Sequence, residues 1–181
     1  MRTKRELSSG EWAVLALLCE RPAHGYAIAA AMGPEGEIGQ IWALGQPLTY
    51  RALQVLQRLE LVVVAGEKAG VGAPRRTELK ATGKARRAVA AWLVEPVQRP
   101  RDLRSQLLLK LAFLRRLGSS PAPLLRAQRE VLERRLAELV EEQERASETL
   151  ADVLRWRAIS AEAGLRFVDE LLAREAGAGQ A

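Results

Sequence analysis

Apolar residues recur at helical spacing almost from the start of the chain. Trp12, Leu15, Leu18 and Cys19 mark a first helix. Ser8 and Glu11 form a capping box at its start, with Leu7 and Trp12 at the positions of a hydrophobic staple. Arg21-Pro22 ends it near Glu20, because a residue before proline is pushed out of the helical region. A short helix over residues 25–32 and a glycine-rich stretch over 33–45 follow. A third helix opens at Pro47, where a missing N–H leaves nothing unsatisfied, and closes near Leu59. The period then changes. Residues 61–65 are a β-branched run, 66–74 are punctuated by glycine, and 75–79 can return as a strand, together a hairpin with a basic tip. A fourth helix over 82–94 carries Ala85, Val89, Trp92 and Leu93 on one side.

Pro96 and Pro100 interrupt the pattern and divide the chain. Residues 1–94 form one expected domain, 95–101 a linker, 102–175 a second domain and 176–181 a flexible tail. The second domain reads as all helix. One helix covers 102–117, and Ser120-Pro121 opens a longer one. Leu125, Leu132, Leu139, Ala146 and Val153 recur every seventh residue, and Arg129, Leu136, Gln143, Leu150 and Arg157 form a second seam. A long lone helix must bury such a stripe, and a second copy of the chain is the expected partner. Leu125, Leu132, Leu136, Leu139, Leu150 and Val153 are therefore the candidate dimerisation residues, with folding back onto the same chain as the alternative. A last helix over 161–174 either continues the long one or follows a break near Ser160. The expected fold is mainly α: an N-terminal winged helix-turn-helix (three helices, a two-stranded wing and a fourth helix) before an all-helical dimerisation domain.

Composition narrows the function. No apolar run approaches the length of a membrane span, and no apolar stretch follows Arg2, Lys4 and Arg5 to mark secretion, so a cytoplasmic location is expected. The single cysteine, Cys19, lies in an apolar helical pattern and reads as a structural thiol. One histidine, His24, and one cysteine exclude paired-histidine and thiolate zinc motifs, and no cofactor is implied. His24 stands at a helix start with no acidic residue beside it, which suits capping or packing better than catalysis. Acidic pairs such as Glu141-Glu142 share a helical face with Arg134, Arg135 and Arg145, where ion pairing accounts for them. An enzyme is not expected.

Charge is concentrated. Of 28 basic and 22 acidic residues, the segment 45–94 holds 9 basic and 3 acidic. Such a segment attracts polyanions, although a solvated basic face without a partner has the same composition. On a helical wheel, Leu48, Ala52, Val55, Leu56 and Leu59 fall on one face of the third helix, and Tyr50, Gln54 and Gln57 fall opposite with Arg51 and Arg58 alongside. Gln pairs bidentately with adenine and Arg with guanine in the major groove, and Tyr can bond a phosphate. The hairpin adds Lys68, Arg75 and Arg76, suited to the backbone or the minor groove. The candidate DNA-contacting residues are Gln46, Thr49, Tyr50, Arg51, Gln54, Gln57, Arg58, Lys68, Arg75 and Arg76. Gly70-Val71-Gly72 resembles part of a phosphate loop but lacks the following helix, so turn glycines are the better reading.

The order of these residues resembles the PadR family of transcriptional regulators. The resemblance runs through Leu7-Ser8 and Val14-Leu15-Ala16-Leu17-Leu18 and is sharpest at Pro22-Ala23-His24-Gly25-Tyr26-Ala27-Ile28. It resumes at Thr49-Tyr50-Arg51-Ala52-Leu53 with Leu56 and Leu59, then Arg75, Leu79, Gly83 and Trp92-Leu93. Residues 101–114 look like the opening of the longer C-terminal helical domain of one subfamily. Three positions depart: Glu60 stands where the family has glycine, Thr77 where an aromatic is common, and Lys80 where a threonine caps the fourth helix, a role left to Thr82. The resemblance implies a homodimer on double-stranded DNA, mostly as a repressor on a palindromic operator, with the C-terminal helices clasping the partner. It also implies release by small aromatic or lipophilic effectors in some members, for which Trp92 and Trp156 are the candidate pocket residues. A winged-helix protein-interaction module that no longer reads DNA is the alternative.

Overall fold

The computed structural model describes residues 6–70 and 73–178, without the side chains of 67–70, 73–76 and 178. The basic cluster Arg2, Lys4 and Arg5, the turn residues Val71 and Gly72, and the end of the expected tail lie outside the described residues. The chain divides into two compact units after Trp92.

The first unit begins with α1, Ser9–Glu20. The Ser8 side chain accepts from the Glu11 N–H and the Glu11 carboxylate accepts from the Ser8 N–H, so both arms of the expected capping box are made. Arg21 ends α1 in extended backbone, and β1, Ala23–His24, follows. His24 then caps α2, Gly25–Met32: its Nδ1 accepts from the Ala27 N–H at 3.1 Å. The connection to α3, Gln46–Arg58, is closed by the Leu44 N–H donating to the Met32 carbonyl at 2.8 Å and is anchored by buried Ile38. Strands β2, Val62–Gly70, and β3, Ala73–Ala81, form the antiparallel hairpin. The sheet has three strands in the order β1-β3-β2, one more than the two expected, because Ala23 and His24 pair with Leu79 and Glu78. Two residues carry no alternation for a sequence pattern to reveal. Helix α4, Gly83–Val94, starts at Thr82, whose hydroxyl accepts from the Ala85 N–H at 3.2 Å, so Thr82 supplies the cap that Lys80 cannot. The core joins Val14, Leu15 and Leu18 of α1 to Ile28, Met32, Leu53, Leu56, Leu79 and Val89. Trp12 stacks on Trp92, ring centroids 5.2 Å apart.

In the second unit, a 3-10 turn at Pro100–Asp102 and a π turn at Leu103–Leu107 lead into α5, Leu108–Arg116. Residues 95–101, expected as a linker, are strapped to this unit. The buried Gln128 side chain acts as a backbone mimic: its Oε1 accepts from the Val97 N–H at 2.8 Å and its Nε2 donates to the Val97 carbonyl at 2.9 Å. Lys110 donates to the Glu95 carbonyl from a buried position.

The long helix expected to run past residue 150 is instead two antiparallel helices, α6, Ala122–Glu144, and α7, Glu148–Ala178. The turn at 145–147 is set by Ser147, whose carbonyl accepts from the Leu150 and Ala151 N–H groups, with Glu148 in the first turn of α7. No break occurs at Ser160. This fold-back corrects the expected subunit seam. Leu125, Leu132 and Leu139 are buried within the chain, and Leu139 packs with Leu154, Ala158 and Ala161, flanked by Leu136 and Ala146. Leu150 and Val153 stay exposed. The Arg129–Asp169 ion pair at 2.8 Å bridges the hairpin, and Arg135 and Arg145 pair with Glu142 and Glu141 along α6.

Candidate nucleic-acid interface

Helix α3 is amphipathic, but its inner face is rotated from the expected one. Thr49, Ala52, Leu53, Val55 and Leu56 are buried, whereas Leu48, expected inside, is 55% exposed. Thr49, expected to reach DNA, is 0% exposed and its hydroxyl donates to the Gly45 carbonyl at 3.3 Å. It packs the first turn of α3 and is removed from the contact surface. The spacing 49, 52, 53, 56 is a regular helical stripe, and a threonine whose hydroxyl bonds back to the previous turn can occupy it at little cost.

The outer face collects Gln46, Tyr50, Arg51, Gln54, Gln57 and Arg58, all exposed. Gln46, Tyr50, Gln54 and Gln57 follow one line of the helix, so a groove lying along it would meet them in turn. The C-terminal end of α3 is held against the start of α4. The Thr82 hydroxyl donates to the Glu60 carbonyl at 3.1 Å and the Lys84 Nζ to the Leu59 carbonyl at 3.2 Å. These bonds tie the end of α3 to the first turn of α4. On the hairpin, Lys68 and Arg76 are cross-strand partners and Arg75 precedes Arg76 on β3; their side chains lie outside the described residues.

A shallow cleft beside α3 is lined by His24, Gly25, Tyr26, Tyr50 and Thr77. A Cβ on Gly25 would stand 2.7 Å from Cε1 of Tyr50, so any larger residue there would push the exposed Tyr50 ring aside. Of these residues only Tyr50 was expected at the interface. The signal for His24, Gly25 and Tyr26 was the His-Gly-Tyr run itself, in which a capping histidine, a glycine and an exposed aromatic adjoin; Thr77 joins them only through the fold.

The candidate effector residues lie in different units. Trp92 is committed to its stack with Trp12 in the first core, and Trp156 is 71% exposed on α7. Burial pushes the Cys19 thiol up, opposite to the shift an attacking thiolate needs. Among the described residues, no three His, Cys, Asp or Glu side chains gather as metal ligands, and no helix is long and apolar enough to cross a membrane.

The crystal structure of Bacillus subtilis PadR in complex with operator DNA aligns with 94% of this chain and 99% of its own, at 18% identity and a TM-score of 0.48. A PadR-like transcriptional regulator from Bacillus cereus aligns with 96% and 99%, at 18% identity and a TM-score of 0.42. One is bound to operator DNA; the other is a PadR-like regulator. A Streptococcus mutans protein aligns with 91% of this chain and 98% of its own, at 18% identity and a TM-score of 0.43. No family model and no curated protein matches the chain.

Proposed function

We propose that this chain is a PadR-type winged-helix transcriptional regulator that binds double-stranded DNA through α3 and the β2–β3 hairpin, and that it has no catalytic activity of its own. One observation carries the reading. Helix α3 is packed along Thr49, Ala52, Leu53 and Leu56 while Gln46, Tyr50, Arg51, Gln54, Gln57 and Arg58 form an outward face of groove-reading residue types. The sequence motif His24-Gly25-Tyr26 and the concentration of basic residues over 45–94 support it.

The regulator acts as a homodimer on a palindromic operator, each α3 entering one half-site about 34–36 Å from the other, and repression follows where the operator overlaps a promoter. The buried seam of α6 cannot serve the partner. The dimer surface is instead the outward stripe of α7, where Val153, Trp156 and Phe167 are exposed with Ile159 and Leu150 nearby. A large exposed apolar patch of this kind calls for a protein partner.

The test is a gel-shift titration of the full chain against its own upstream DNA and a scrambled duplex. Retention of the upstream fragment at concentrations that leave the scrambled one free supports the reading. Absence of any shift at low salt refutes it and favours a protein-interaction module.

A further inference from the structure

From the first turn of α3 we infer which bases the helix selects there: Pro47 and Leu48 form an apolar tip that seats against thymine methyl groups in the major groove. The inference rests on the reading of α3 as the groove-facing helix. It deepens that reading by assigning base specificity to two side chains that carry no hydrogen-bonding group.

Helix α3 starts at Gln46 behind the cap residue Gly45, and Pro47 stands in its first turn. Proline has no N–H, so it offers a neighbour only its ring and its carbonyl. Pro47, Arg51, Gln54 and Arg58 recur at i, i+4, i+7 and i+11 and so share one line of the helix. Each of them is exposed, while Thr49, Ala52, Leu53, Val55 and Leu56 are buried on the other side. The proline therefore lies within the outer face and at its N-terminal end. Leu48 flanks it. The core takes Thr49 and Ala52 but leaves Leu48 55% exposed. Helical side chains lean toward the N-terminus, so Leu48 in the first turn projects toward the start of α3, beside Pro47. The outer face thus has a nonpolar end and a polar body.

A single exposed leucine elsewhere on a surface needs no partner. Here its position decides. The N-terminal residues of a recognition helix are the ones that meet base edges. Of the groups that base pairs display in the major groove, the C5-methyl of thymine is the apolar projection, and the others are donors and acceptors. A donor or acceptor pressed against Pro47 and Leu48 would lose its water without gaining a hydrogen bond. The tip therefore selects thymine, and the purines are left to Arg51 and Gln54 further along the helix.

The experiment amplifies the upstream fragment with either thymidine or deoxyuridine triphosphate. Uracil keeps every hydrogen-bonding group of thymine and lacks only the methyl. Binding is measured by fluorescence anisotropy for the full-length wild type, Pro47→Ala, Leu48→Ala, the double variant and Gln54→Ala. Both tip positions are exposed and alanine suits a helix, so these changes leave the fold intact. One buried methyl is worth about fourfold in affinity. Over the two half-sites the wild type should therefore bind the uracil fragment on the order of tenfold more weakly. The double variant should bind the thymine fragment with a similar loss and separate the two fragments by less than about twofold. Gln54→Ala should weaken both and keep the wild-type ratio. Equal wild-type affinity for the two fragments overturns the tip and leaves the α3 reading standing. An undiminished preference for thymine in the double variant also overturns it, because the methyls are then read elsewhere. Failure of the wild type to bind either fragment at low salt overturns both readings. A lighter species for the double variant in light scattering would reassign the tip to a contact between copies and overturn the methyl assignment.

Discussion

Glu60 offers a direct test of the backbone account of α3. The helix ends in a Schellman motif: the Leu61 N–H donates to the Leu56 carbonyl and the Glu60 N–H to the Gln57 carbonyl, both at 2.9 Å. That motif needs a left-handed residue, and Glu60 has φ 57°. Helix α5 ends in the same motif, with the Ser119 N–H on the Leu114 carbonyl and the Gly118 N–H on the Arg115 carbonyl, but there the left-handed residue is glycine, φ 66°. The chain thus contains its own control. A Cβ in the left-handed region costs about 1–2 kcal/mol, and glycine loses about 0.4–1 kcal/mol through the freedom it adds to the unfolded chain. Glu60→Gly should therefore stabilise the protein by about 0.5–1 kcal/mol. For a chain of this size the midpoint rises by about 1–4 °C. Gly118→Ala should destabilise by a similar amount, and nothing lies within 4 Å of the added Cβ, so the effect is one of backbone alone. Glu60→Ala separates charge from conformation. It removes a carboxylate from the negative end of α3, worth a few tenths of a kcal/mol, but leaves the strain. Urea unfolding followed by circular dichroism ranks the variants. Stabilisation by Glu60→Ala equal to that of Glu60→Gly, or none by Glu60→Gly, refutes the reasoning.

Gln54→Ala and Arg51→Ala should reduce operator binding more than random-duplex binding, whereas Lys68→Ala should weaken both alike and lower the salt slope by about one. Equal losses for Gln54→Ala on the two duplexes would remove it from the groove. Gln128→Leu strips two hydrogen bonds from buried Val97 backbone groups and should cost about 2–4 kcal/mol in urea unfolding; a loss below 1 kcal/mol would show the strap to be unimportant. Burial lowers Lys110 from an ordinary 10.5 to about 8 against the opposing pull of Glu95, so between these values the unfolded chain binds the extra proton. Stability should then rise with pH through that window, by up to about 3 kcal/mol, and Lys110→Met should lack this component. An identical pH profile in Lys110→Met would refute the assignment. Val153→Glu should shift the species seen by light scattering from dimer to monomer; an unchanged dimer would move the interface elsewhere.

Much of the first unit was legible because its signals are local. The capping box at Ser8 and Glu11, the proline after Arg21 and the β-branched run after Leu61 each act within a few residues, and each forms as expected. The histidine cap was also readable, since His24 stands immediately before a helix. The candidate interface was legible as a set of residue types, and five exposed members, Tyr50, Arg51, Gln54, Gln57 and Arg58, emerged from the wheel.

Orientation and partnership were not local. A helical wheel supplies angles but no origin, so Leu48 and Thr49 could exchange sides until α1 and α2 packed on α3. Strand β1 exists only because β3 passes beside two residues that would otherwise be loop. A heptad stripe states that an apolar seam must be covered without saying by what. The seam of α6 is covered by α7 because Ser147 and Glu148 turn the chain back, a weak local signal beside a strong repeat. Short-range rules thus choose each element and its ends, while the choice of which face is hidden, and behind which neighbour, belongs to burial, a property of the packed molecule.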